Sequence, residues 1–170
     1  MRLSRITNIM CAVTGVAILC PIAGCGKSTP PDGPDSSPLT ASSLGEQSVV
    51  SNETYLTSPE FTGTDSAWGE RLAMQCRACH GLEAGSVNML GPTLHGFFGK
   101  KAGTVDGFIY SDPLANAGFV WTPRALDAWL SQPAIFLPGN RMAFAGLSKL
   151  DDRRAVIAYL LAVTDDSGNR

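Results

Sequence analysis

The sequence predicts an all-α fold of about four to five helices joined by long loops, and three observations carry that expectation. Apolar residues in the second half of the chain recur at helical spacing, between capping residues and prolines or glycines that stop a helix. No stretch alternates apolar and polar residues as a half-buried strand would. The connections are rich in Gly and Pro, which implies loops wrapped around a filler other than protein.

Composition is segregated along the chain. The 170 residues are 44% hydrophobic and 16% charged, with a net charge of −2. The first 25 residues are apolar with a basic start, residues 26 to about 62 are polar and proline-rich, and nearly all periodic apolar content follows Trp68. One folded domain of about 100 residues is expected. A domain that small buries a limited core and is often stapled by a metal or cofactor. Residues 65–166 hold nine Lys/Arg and ten Asp/Glu, and no basic run or basic-aromatic patch points to nucleic acid.

Arg2 and Arg5 precede an apolar run over 6–19, which Cys20 and Pro21 follow; this reads as an export signal. The run is short for a membrane span, and Thr7, Asn8 and Pro21 weaken the alternative of an uncleaved helix. Ile22-Ala23-Gly24-Cys25 resembles the lipobox of bacterial lipoproteins, in which small residues admit the peptidase and the thiol takes a diacylglyceryl group. The plainer alternative is a chance Ala-Gly-Cys in an ordinary secretory signal. Cysteine counting favours the lipid. Of Cys11, Cys20, Cys25, Cys76 and Cys79, cleavage before Cys25 removes two, and the pair at 76 and 79 has its own use. Cys25 would otherwise be an exposed odd thiol in an oxidising compartment.

The expected division is a lipoprotein-type signal peptide over 1–24, a lipidated Cys25 with a disordered linker over 25–63, a folded domain over 64–166 and a short tail over 167–170. The linker assignment rests on low hydrophobicity and the run of prolines between 28 and 38.

Within the domain the first helix is expected over about 66–76, after the capping candidates Thr64, Asp65 and Ser66. A short turn of helix starts at Asp112-Pro113 and ends by Gly118. Thr122 caps the next helix, with Pro123 at its first position, Leu126, Trp129 and Leu130 on one face, and Pro133 as the stop. Ser148 to Asp151 reads as a capping box for the last helix, whose apolar set is Val156, Ile157, Leu160 and Leu161. A weaker helical turn is expected near 94–98.

Cys76-Arg77-Ala78-Cys79-His80 carries the chemistry. Two thiols three residues apart at a helix end each form a thioether with one haem vinyl group, and the histidine after the second lies beneath the iron. A zinc site would need four ligands, but no second Cys pair exists and His95 is the one other histidine. A thioredoxin-like redox pair belongs in a βαβ setting, and no parallel sheet is read here. One covalent haem c per chain is the expected cofactor.

From Gly69 to Thr164 the chain resembles the class I c-type cytochromes, close to the mitochondrial and bacterial c2 types. The motifs in register are Cys76-x-x-Cys79-His80, Gly91-Pro92-Thr93-Leu94-His95-Gly96, Gly107-Phe108-Ile109-Tyr110, Trp121, the run from Pro138 to Gly146, and Ile157-Ala158-Tyr159-Leu160. The resemblance implies the class I cytochrome c fold, with helices and long loops around one haem. It implies Met142 as the second axial ligand opposite His80, a soft thioether that raises the potential relative to two histidines. Met74, Met89 and His95 are the rivals, each better explained by packing or surface exposure. Pro92 matches the residue whose carbonyl accepts the histidine Nδ1–H. Tyr110, Trp121 and Asn140 match positions at the haem propionates, with plain aromatic packing as the other reading of the first two. Gly69 and Tyr159 match the crossing of the first and last helices.

Departures from the pattern bear on the tuning of the potential. Lys100 stands for a frequent arginine, Leu114 for a frequent asparagine, Trp129 for a tyrosine near the methionine sulfur, and Asn140 for a threonine. The basic rim is thin, with Lys100, Lys101, Arg141 and Lys149 as its members. The function implied is that of a monomeric single-electron carrier, not an enzyme. It would be lipid-anchored and periplasm-facing in a bacterial cell envelope, and serve membrane respiratory complexes or periplasmic dehydrogenases. The alternative is a haem-containing electron-entry subunit of a dehydrogenase or oxidase; a peroxidase or gas sensor would need the position that Met142 fills.

Overall fold

The computed structural model describes residues 37–166. The expected signal peptide, Cys25 and the tail 167–170 lie outside the described residues. Among the described residues six α-helices follow one another: α1 (Asn52–Leu56), α2 (Ser66–Arg77), α3 (Asp112–Ala115), α4 (Pro123–Ser131), α5 (Pro133–Phe136) and α6 (Leu150–Val163). Among the described residues there is no strand, only an isolated antiparallel bridge between Lys101 and Val120. None of these helices is long and apolar enough to cross a membrane.

The frame is the crossing of α2 and α6. Asp65 caps α2 by accepting from the Trp68 amide. Gly69 lies so close to α6 that a Cβ there would stand 2.2 Å from the Ala155 carbonyl oxygen and 3.1 Å from the Tyr159 Cβ. Seven consecutive residues of α6, Ala155 to Leu161, are buried. The helix is therefore covered all round, and its apolar set is wider than one amphipathic stripe. Thr122 caps α4 by accepting from the Ala125 amide, and Pro123 takes the first helical position as expected.

Three local expectations change. Pro133 ends α4 but also opens α5, because proline suits the first position of a new helix. The capping box over Ser148–Asp151 does not form: Lys149 is the N-cap and makes no side-chain cap bond. Arg153 reaches back instead and donates to the Leu147 and Ser148 carbonyls while its guanidinium pairs with Asp127 on α4. The segment near 94–98 is an irregular turn without helix.

The largest correction concerns the expected linker over 25–63. Residues 37–63 pack against the rest of the structure as a strap. Leu44 is 2% exposed and Phe61 3% exposed, both within the hydrophobic core. Burial of two such side chains contributes about 1.5–3 kcal/mol each. The anchors Leu39, Leu44, Tyr55, Leu56 and Phe61 follow no helical or strand period, so pattern reading passed over them. Each fills a place on a surface made by distant parts of the chain.

Candidate functional site

The attachment motif sits where α2 ends. The Cys79 and His80 amides both donate to the Cys76 carbonyl, at 3.0 and 2.9 Å, so the chain curls back under the helix terminus. That turn brings Cys76, Cys79 and His80 together on one short stretch. Burial pushes the Cys76 thiol up to about 11, with nearby Cys79 adding to the rise and a backbone hydrogen bond opposing it. A neutral thiol, rather than a thiolate, therefore occupies that place in the chain free of haem.

His80 is held from one side by the loop that follows. Its Nδ1 lies 2.6 Å from the Pro92 carbonyl oxygen. A carbonyl only accepts, so Nδ1 carries the proton and Nε2 is left with a free lone pair. Burial lowers the His80 pKa and outweighs the opposing bond to Pro92, so the ring is kept in the neutral form that ligates a metal. Gly91 lies flat on this ring: a Cβ there would stand 2.2 Å from the imidazole Cε1. The Gly91 amide donates to the Cys79 carbonyl and the Leu94 amide to the Gly81 carbonyl, which pins the loop in place.

Met142 is held by two groups. Its amide donates to the Asn140 Oδ1 at 3.0 Å. Its sulfur accepts the Trp129 indole N–H at 3.2 Å. Both amide hydrogens of Asn140 are used, towards the Pro133 and Leu137 carbonyls. Asn140 was expected at a haem propionate. With every donor committed, it braces the Met142 turn against α5 instead. The rivals are not held in this way: Met74 is 59% exposed and Met89 51% exposed, and His95 faces Asp166 at 3.4 Å.

An aromatic wall stands beside Met142. Trp121 and Trp129 meet edge to face at 5.5 Å, and Phe119 and Phe136 continue the cluster. Tyr110 packs on Phe108 and accepts from the Val105 amide, so its hydroxyl hydrogen is not used by that bond. Burial raises its pKa, against the hydrogen bond from Val105, and keeps the phenol protonated. Next to it lies a residue that sequence reading missed. The Ser111 Oγ is buried and has no partner among the described residues. A buried hydroxyl left so costs about 1–3 kcal/mol unless a ligand satisfies it. Its one signal in sequence was its place between Tyr110 and the Asp112-Pro113 helix start, where serine reads as a cap; it makes no cap bond.

These residues fit a haem. A thiol pair, a tautomer-fixed histidine, a thioether held by its neighbours, and an orphaned hydroxyl beside a protonated phenol make up a suitable donor set.

No family model matches the chain. It is 49% identical over 85 residues to a cytochrome c2 iso-2 of Magnetospirillum molischianum, a match covering 50% of this chain and 87% of that protein. It is 42% identical over 101 residues to a cytochrome c of Gibberella zeae, covering 59% and 95%. Among solved structures it resembles cytochrome cH from Methylobacterium extorquens with a TM-score of 0.54 and 40% identity, over 58% of this chain and 98% of that one. Fold, donor set and these relatives agree, and the chain belongs to the class I c-type cytochromes.

Proposed function

We propose that this cytochrome is a membrane-tethered one-electron shuttle of the bacterial cell envelope, with His80 and Met142 as its axial ligands. Class I c-type cytochromes are electron-transfer proteins and not enzymes, and one covalently bound haem c supplies the change between ferrous and ferric iron. The observation that carries the ligand reading is the 2.6 Å approach of His80 Nδ1 to the Pro92 carbonyl, which presents Nε2 to a metal. Cys76 and Cys79 provide the thioether links. The Met142 sulfur, oriented by Trp129 and by the Asn140 brace, would be the second protein donor to the iron. With His80 and Met142 both holding the iron, the protein would leave no site for small molecules, and the haem would supply outer-sphere electron transfer. Tyr110, Trp121 and Ser111 serve the propionates.

The tether is Cys25, lipidated within the Ile22–Cys25 motif. Residues 26–38 reach at most about 45 Å when fully extended. The folded part thus stays close to the bilayer and at high effective concentration for membrane respiratory complexes or periplasmic dehydrogenases. The protein acts as a monomer.

The test uses the haem-loaded full chain. Met142→Ala should convert the ferric spectrum and let cyanide bind, whereas Met74→Leu and Met89→Leu should leave the spectrum alone. An unchanged Met142→Ala spectrum would assign the second ligand elsewhere. Cys25→Ser should release a haem-loaded protein from membranes. Retention of that variant through a high-salt wash would replace the lipid by a helix or a protein partner.

A further inference from the structure

We propose that residues 39–61 are a clamp in cis that sets how readily the segment 97–122 opens. That segment carries Tyr110, Ser111 and Trp121, and its functional weight rests on the propionate reading above. It has little secondary structure of its own: the single turn of α3 and the Lys101–Val120 bridge. Around the bridge, the Ala102 amide donates to Phe119, the Trp121 amide to Lys100 and the Gly99 amide to Trp121. These bonds use the backbone groups of 119 and 121. The N–H and carbonyl of Val120, between them, belong to the other edge.

Gln47 pairs with that edge. Its Oε1 accepts the Val120 amide at 2.8 Å and its Nε2 donates to the Val120 carbonyl at 2.7 Å, with a longer contact to Thr122 Oγ1. A primary carboxamide offers the same donor and acceptor as a peptide group, so Gln47 stands in for one residue of a third strand. The strap is fastened on both sides of this point to the helical frame. Arg124 on α4 donates to the Leu44 carbonyl at 3.0 Å, and Asn52 donates to the Leu161 carbonyl in the last turn of α6 at 2.9 Å. Leu44 and Phe61 are buried at either end. Between these anchors Val49 lies against Gly99, at the start of the clamped segment. Opening of 97–122 therefore requires either that the Gln47–Val120 pair break or that the strap leave α4 and α6 with it. The strap couples this irregular segment to the helical frame of α4 and α6.

The experiment is residue-resolved hydrogen exchange on the haem-loaded full chain, comparing the native protein with Gln47→Ala and Gln47→Glu. Gln47→Ala should speed exchange of the Val120 and Trp121 amides by about tenfold or more and leave the Ala73 amide in α2 unchanged. Gln47→Glu keeps the acceptor for the Val120 amide but loses the donor, and should fall between. Unchanged exchange at Val120 in Gln47→Ala would overturn the clamp. So would equal acceleration at Val120 and Ala73, which would mark a purely global loss of stability. The readout does not use the axial ligands or the propionates, so an error in those assignments would show in the native spectrum and leave this result standing.

Discussion

Trp129 stands where the class I resemblance implies a tyrosine near the methionine sulfur, and it keeps that place. As a tryptophan on the apolar face of α4 it reads as core, and it is 4% exposed. Its indole N–H is nevertheless used, and the acceptor is the Met142 sulfur. The N–H holds the thioether in one orientation, and with Met142 as the proposed iron ligand it would draw electron density from the lone pair offered to the metal. Trp129→Phe keeps most of the packing and removes only the donor. The midpoint potential should fall by roughly tens of millivolts, with the folded state losing about 1 kcal/mol, the scale of one hydrogen bond. Spectroelectrochemical titration measures the first and urea unfolding the second; an unchanged potential would reduce Trp129 to packing. At this scale the His80–Pro92 pairing was legible because a short motif carries each residue, and Cys76, Cys79 and Met142 rest on motifs of the same kind, with their roles toward haem part of the proposed function. The bracing role of Asn140 and the orphaned Ser111 hydroxyl were not legible, because a side-chain partner depends on which loop lies beside it.

Helix boundaries were legible where a capping side chain stands beside a periodic apolar face. Asp65 and Thr122 are such caps, and both were read from the sequence. Ser51 caps α1 in the same way, but in a stretch read as linker. The Ser148 box fails because the helix starts one residue later, with Lys149 as N-cap, and the approach is held by Arg153, which bonds the Leu147 and Ser148 carbonyls and pairs with Asp127 on α4. Tertiary contacts override a local signal there. The α2–α6 crossing gives a prediction at this scale. Glycine to alanine in a helix ordinarily stabilises by roughly 0.5–1 kcal/mol. At Gly69 the added Cβ would meet a backbone carbonyl at 2.2 Å, which no side-chain rotation relieves. Gly69→Ala should therefore destabilise, by about 1–3 kcal/mol, with a lower urea midpoint and little change in the slope. A stabilised variant would mean that the helices part without cost.

The whole molecule is close to neutral in charge, and this governs docking. Nine basic against ten acidic residues over 65–166 leave a net charge near zero. The loop that lies on His80 exposes Val87, Met89 and Leu90 at 74, 51 and 81%, all uncharged. Steering over distance needs concentrated charge. Electron-transfer rates with membrane partners should change by less than about threefold between low and physiological ionic strength. Stopped-flow kinetics across a salt series measures this; a steep fall would show that Lys100, Lys101, Arg141 and Lys149 act together as a patch.

The sequence by itself determined the all-α class, the covalent haem c cofactor and the local signals that place α2, α3, α4 and α6. Each depends on spacing within a few residues, where covalent geometry and helical pitch fix the outcome. Tertiary structure alone decided that residues 37–63 are a strap and not a linker. It also decided that Gln47 completes an edge at Val120, that the contact implied between position 129 and the methionine sulfur is made by an indole N–H, and that Asn140 braces a turn. In each of these a polar group or an isolated apolar side chain finds its partner across many residues of chain. The free energy of such a pairing exists only once the partner surface has formed, so no local pattern records it.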